Sequence, residues 1–140
     1  MPQEGQALGT ISMDGTGVDC TLFYGDADEQ LEKGAGLYTG GHLPGQGSLA
    51  LIGGHTNSFF RGLEKAQAGG LVRLSLFYGD YVYQITDLRV VEADDTSAYN
   101  LNAEDDQLIL YTCYPFGVLY DTPYRYFVYA KLLSGPTLTS

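Results

Sequence analysis

Leu71-Val72-Arg73-Leu74-Ser75-Leu76-Phe77-Tyr78-Gly79-Asp80-Tyr81-Val82-Tyr83-Gln84-Ile85 is the stretch that decides the fold class. Side chains of an extended strand point alternately to two faces. Here Leu71, Arg73, Ser75 and Phe77 share one face, and Val72, Leu74, Leu76 and Tyr78 the other. Gly79-Asp80 reads as a two-residue turn and Tyr81 to Ile85 as the returning strand, so the stretch predicts a β-hairpin. Working outward, Leu8 to Met13, Val18 to Tyr24, Ser48 to Ile52, Leu88 to Val91, Gln107 to Thr112 and Arg125 to Leu133 read as further strands. A short helix is expected from Asp26 to about Lys33, because its acidic first turn suits the helix dipole and Gly34 stops it. A second is expected over Phe59 to Ala66, with Phe59, Phe60 and Leu63 on its apolar side. Residues 34–47 read as a glycine-dense loop, 92–106 as an acidic polar loop, and 114–123 as a loop with two prolines. About eight strands, short helices and no repeat predict a mainly β protein built as a closed or nearly closed barrel, in one domain over residues 1–140.

Composition agrees with that class. Nineteen glycines supply turns and twelve tyrosines favour strands. The 44% hydrophobic content suits a packed core and argues against disorder. Net charge is −10, with seven Lys and Arg spread along the chain, so a phosphate-neutralising patch is hard to build and nucleic acid is not an expected partner. No run of about 18 apolar residues is present, and the polar start Pro2-Gln3-Glu4-Gly5 lacks the order of a secretory signal. The expectation is therefore a soluble domain, or one whose anchor lies outside this sequence.

Three residues carry candidate chemistry. His55 follows a glycine-flanked strand end, Cys113 stands where a hydrophobic strand stops, and Arg125 opens the next strand. Strand ends that open onto loops can expose a reactive group yet hold it rigidly. A thiolate is a nucleophile, an imidazole can tune it and protonate a leaving amine, and a guanidinium can hold an oxyanion or a substrate backbone. This set suits acyl transfer. Read one at a time, a cysteine at a strand end is ordinarily a small buried hydrophobe, a histidine after Gly-Gly a loop residue and the arginine a surface charge. The Cys–His pair has two resting forms, thiol with imidazole or thiolate with imidazolium.

The local strings resemble the sortases, and most closely class D. Ile109-Leu110-Tyr111-Thr112-Cys113 is similar to the family's TLxTC motif, with Ile109 in place of the first Thr. Cys113-Tyr114-Pro115-Phe116 followed by Thr122-Pro123-Tyr124-Arg125 resembles the segment from nucleophile to arginine in class D. Leu43-Pro44-Gly45-Gln46-Gly47 through Gly54-His55 resembles the LPGxG…GH stretch, and Phe59-Phe60-Arg61-Gly62-Leu63 follows it. Leu8-Gly9-Thr10-Ile11 and Glu29-Gln30-Leu31-Glu32-Lys33-Gly34 resemble the first strand and first helix, so the likeness runs from about Leu8 to Leu133. Thr56 stands where many relatives carry Arg, and Gly53-Gly54 replaces the commoner Ala-Gly.

The resemblance implies an eight-stranded barrel and a cell-surface cysteine transpeptidase. Such an enzyme cuts an LPxTG-like sorting signal after Thr, forms a thioester on Cys113 and passes the acyl group to a peptidoglycan-precursor amine. It implies His55, Cys113 and Arg125 as catalytic residues. Thr112, Tyr114 and Phe116 are substrate-contact candidates, with the loop carrying Phe116, Val118 and Leu119 as one wall of an apolar groove. It implies no cofactor, and membrane attachment only through an anchor absent from this chain.

Three other readings remain open to the same residues: a cysteine hydrolase that releases product to water, a β-barrel module that only binds, and a zinc protein using Cys20, His42, His55 and Cys113. The last lacks paired ligand spacing. Cys20 is expected as a core thiol, with a Cys20–Cys113 disulfide as the alternative, and His42 as a solvent-exposed loop residue. Gly34-Ala35-Gly36 and Gly45-Gln46-Gly47 lack the following Gly-Lys-Ser/Thr of a phosphate loop and read as turn glycines. Asp94-Asp95 and Glu104-Asp105-Asp106 lack calcium-loop spacing and read as a solvated acidic loop.

Overall fold

The alternation around Leu74 is realised directly: Val72, Leu74 and Leu76 are buried while Arg73 and Ser75 are exposed. A computed structural model describes residues 2–55, 59–114 and 122–138. Its strands are β1 (Ala7–Met13), β2 (Asp19–Tyr24), β3 (Ala35–Leu37), β4 (Leu49–Gly53), β5 (Leu71–Leu76), β6 (Gly79–Glu92), β7 (Gln107–Tyr114) and β8 (Tyr124–Ser134). One helical turn, α1 (Asp28–Leu31), and 3₁₀ turns at Arg61–Lys65 and Thr96–Ala98 complete the elements. The strands close into a barrel in the order β1-β2-β3-β4-β7-β8-β6-β5. Two pairs are parallel, β2 with β3 and β4 with β7; the others are antiparallel. Closure removes free strand edges, so every long strand has two neighbours.

The barrel has eight strands as expected, but not the same eight. Leu88 to Val91 is the continuation of β6, a 14-residue strand that bends at irregular steps between Val82 and Tyr83 and between Ile85 and Asp87. The eighth strand is β3, which lies inside the stretch read as loop. It shows no alternation because all three of its residues are buried. Gly36 is required there for close approach, since a Cβ would stand 2.2 Å from the Gly25 carbonyl oxygen. It is not a turn glycine. The hairpin turn also sits two residues earlier than expected, at Phe77-Tyr78, because Leu76 pairs with Gly79 and Ser75 with Asp80. Tyr78 folds inward, its hydroxyl donating to the Pro44 carbonyl at 2.8 Å, while Phe77 is left 67% exposed at the tip.

Two apolar layers result. The barrel interior holds Ile11, Leu22, Ile52, Val72, Leu74, Tyr81, Tyr83, Leu108, Leu110 and Val128. A second cluster lies on the outer face of β4, β7 and β8: Leu49, Leu51, Ile109 and Phe127 are covered by Ala98, Tyr99, Leu101 and Ala103. The segment read as a solvated acidic loop is therefore half of a hydrophobic lid. Its carboxylates do point outward at Asp94, Glu104 and Asp105. Asp106 instead accepts the Gly45 and Gly47 amides at 3.1 and 3.2 Å, and Asp95 caps the 3₁₀ turn through the Ser97 amide.

Candidate active site

Strand parity fixes where the candidate residues face. Along β7, Leu108 and Leu110 enter the barrel, whereas Ile109 and Tyr111 join the outer cluster. Continuing that alternation puts Thr112 inside and Cys113 outside. Along β8, Val128 and Ala130 are interior while Phe127 and Tyr129 are outer, so Arg125 is also outer. Cys113 and Arg125 are direct partners across the antiparallel β7–β8 ladder, which sets their Cβ atoms about 5 Å apart on one face. Both are half-buried.

His55 arrives from β4. Gly53 pairs in parallel with Tyr111, and the Gly54 amide donates to the Tyr111 carbonyl at 3.2 Å, so two residues onward His55 comes level with Cys113. Its backbone is held on both sides. The Thr112 hydroxyl donates to the Gly54 carbonyl at 2.7 Å, and the Phe60 amide to the His55 carbonyl at 3.1 Å. The two glycines before it are demanded by aromatic rings. A Cβ on Gly53 would meet the Tyr111 ring at 2.5 Å, and one on Gly54 the Phe60 ring at 2.4 Å. The Gly-Gly pair in place of Ala-Gly thus has a partner in Tyr111, which lies over Gly53.

Thr112, expected as a substrate contact, is 2% exposed, and its hydroxyl proton is committed to Gly54. Thr112→Val should leave the Gly54 carbonyl unsatisfied next to His55. The expected cost is about 1–3 kcal/mol in urea unfolding, accompanied by lower turnover. Tyr114 is half-buried at the last β7–β8 rung and stacks on Tyr126 with centroids 6.2 Å apart. Phe116, Val118 and Leu119 lie outside the described residues.

A groove of about 250 Å³ opens beside Arg125, lined by Asp26, Tyr38, Leu51, Ala93, Tyr99, Tyr111, Arg125 and Phe127. Sequence reading missed its walls, because Tyr99 sits in a segment dominated by acids and Tyr111 reads only as one more strand tyrosine. The Tyr111 hydroxyl donates to the Asp26 carboxylate. Burial, then the Asp26 charge, hold the Tyr111 phenol well above the usual tyrosine range, with Arg125 opposing, so Tyr111 stays a donor at working pH. Arg125 has no carboxylate partner among the described residues. Its Nη1 donates to the carbonyls of Thr122 and Tyr124, both at 2.8 Å.

The other candidates lie apart. Cys20 is buried in β2, and burial pushes its thiol up to about 11. Both cysteines are free; β3 and β4 stand between their strands. His42 is half-buried rather than solvent-exposed, with Nδ1 enclosed and unpartnered and its amide donating to the Leu49 carbonyl at 2.9 Å. Among the described residues no group of three or more His, Cys, Asp or Glu is placed to hold a metal ion, and no helix is long and apolar enough to cross a membrane.

A closed eight-stranded barrel that presents a thiol and a guanidinium on one rung, with an imidazole carried in by the neighbouring parallel strand, defines a narrow class of β proteins. The chain belongs to the sortase family: the family model for the sortase domain matches residues 11–133. It is 35% identical over 130 residues to sortase D of Bacillus subtilis (strain 168), covering 93% of this chain and 66% of that protein, somewhat under two thirds of the relative's length. Among solved structures, a Clostridium perfringens sortase D5 transpeptidase is similar at TM-score 0.83 and 25% identity, over 96% of this chain and 83% of that one. The catalytic domain of B. anthracis SrtD is similar at TM-score 0.78 and 26% identity, over 97% and 93%. C. perfringens sortase C, solved with the C-terminal cell wall sorting motif, is similar at TM-score 0.84 and 25% identity, over 94% and 73%.

Proposed function

We propose that this domain is a cysteine transpeptidase that anchors proteins at the bacterial cell surface, acting on an LPxTG-like sorting signal. The observation that carries the reading is the shared rung of Cys113 and Arg125, reached by His55 through the β4–β7 pairing. Family membership and the similarity to a sortase solved with a sorting motif support it.

The reaction runs in two acyl transfers. The Cys113 sulfur attacks the carbonyl carbon of the signal's Thr, and the carbonyl oxygen takes on negative charge. Arg125 faces that charge as a permanent cation with a rigid fork of donors. The C–N bond to Gly then breaks, His55 gives its proton to the leaving amine, and a thioester remains on Cys113. An incoming amine, from a peptidoglycan precursor, attacks the thioester and loses a proton to His55; a new amide forms, the C–S bond breaks, and the Cys113–His55 pair regains the one proton it gave to the leaving amine. The aromatic groove beside Arg125 suits an extended apolar leader of the signal. Thr112 serves this site through Gly54, fixing the segment that delivers His55, and Tyr114 and Phe116 are offered as further substrate contacts. The domain works at the extracellular face of the cell membrane or in the cell wall, without a cofactor.

Mass spectrometry of the domain with an LPxTG peptide, with and without a glycine-based amine, tests the reading. The expected result is a thioester adduct on Cys113 and a ligated product only when amine is present. Cleavage that added amine does not divert would replace the transpeptidase with a hydrolase. No adduct across varied signals would leave a barrel that only binds.

A further inference from the structure

Thr122 precedes the arginine by three residues and plays no part in the chemistry above, yet it is buried at 7% exposure and holds more polar contacts than its neighbours require. Pro123 cannot donate a backbone hydrogen bond. The base of the β7–β8 connection is closed by the Thr122 side chain instead. Its hydroxyl proton is shared between the Tyr114 carbonyl at 2.6 Å and the Tyr124 carbonyl at 2.9 Å, and its oxygen accepts the Tyr124 amide at 3.3 Å. Tyr114 directly follows Cys113 and Tyr124 directly precedes Arg125, so one hydroxyl ties the end of the nucleophile strand to the start of the arginine strand. The Pro123 carbonyl is taken by the Ala93 amide at 2.8 Å, which fixes the intervening peptide.

The same residue reaches the guanidinium. Arg125 Nη1 donates to the Thr122 and Tyr124 carbonyls, the two oxygens that flank Pro123. These are neutral acceptors. A carboxylate in their place would orient the guanidinium equally well but neutralise its field; two carbonyls orient it and leave its charge for an oxyanion. In a chain with 17 Asp and Glu against seven Lys and Arg, no carboxylate among the described residues forms an ion pair with this guanidinium.

We propose that Thr122 is a positioning residue for Arg125: its hydroxyl locks the Tyr114–Tyr124 rung, and its carbonyl holds the guanidinium in the plane where it meets the developing oxyanion. This inference rests on the catalytic reading of Arg125 given above.

The test compares Thr122→Val and Thr122→Ser, alone and with Arg125→Lys, in the transpeptidation of an LPxTG peptide onto a glycine amine. Thr122→Val is expected to lower kcat about 10-fold with KM within about 2-fold, because the groove that binds the signal is untouched. Thr122→Ser keeps the hydroxyl and is expected to stay within about 3-fold of the parent. On the Arg125→Lys background the Val substitution is expected to change kcat by less than about 2-fold, since the fork it aims is gone. A parental kcat for Thr122→Val, or the same fall on both backgrounds, would overturn the proposal, the latter by showing a purely structural role. If Thr122→Val does not fold, Thr122→Ala carries the same comparison. Arg125→Ala separates the two layers. Intact turnover there sinks the reading of Arg125 itself, whereas lost turnover beside a normal Thr122→Val sinks only the role of Thr122.

Discussion

Cys113→Ala is expected to lower turnover by about four orders of magnitude or more while leaving the thermal midpoint nearly unchanged. On the reading proposed above the size follows from losing the nucleophile itself, and among the described residues the other cysteine, Cys20, lies within the barrel, where burial pushes its thiol up to about 11. The mild effect on stability follows from place. Cys113 is half-buried on the outer face, one rung from the end of β7, and its removal opens no cavity in the interior cluster. Alkylation of the parent at pH 8 provides the control, with a single modification expected on Cys113 and none in the variant. A Cys113→Ala protein that still forms ligated product would end the thioester mechanism.

Phe60→Ala is expected to be the most damaging substitution for stability outside the strands. Phe60 is fully buried, follows the His55 segment and packs its ring against Gly54 at a separation that leaves no room for a Cβ. Truncating such a ring costs about 3–5 kcal/mol, through lost burial and the cavity left behind. For a domain of this size that corresponds to a fall in thermal midpoint of roughly 10 °C or more. Activity should fall further than stability alone dictates, because the Phe60 amide also holds the His55 carbonyl. Calorimetry with peptide turnover well below the variant's midpoint separates the two effects. A folded Phe60→Ala protein with parental kcat would show that His55 is positioned without it.

What the sequence made legible was whatever repeats with a short period or sits in a compact motif. The 71–85 hairpin announced itself by alternation, and the family by its compact motifs. Ala35-Gly36-Leu37 did not, because a three-residue strand buried on both faces has no alternation to show, and its glycine serves close approach rather than a turn. The lid over the outer face was hidden for a related reason. Ala98, Tyr99, Leu101 and Ala103 are diluted among acids, and only the fold shows that Asp94, Glu104 and Asp105 face water while the apolar residues face β4, β7 and β8. Thr112 reads as a substrate-contact candidate, whereas strand parity turns it inward to Gly54. Motif reading locates a residue along the chain but does not say which side of a strand it occupies.

The parallel pairing of β4 with β7 has a kinetic corollary. The contact that seats the histidine segment, Thr112 to Gly54, spans 58 residues of chain, with all of β5 and β6 lying between. Such non-local closure is slow compared with hairpin formation and comes after the loop entropy has been overcome. Until β4 and β7 have paired, the segment that carries His55 is not held beside the strand that carries Cys113. The strand ends that carry the proposed site are thus brought together only when the barrel is complete.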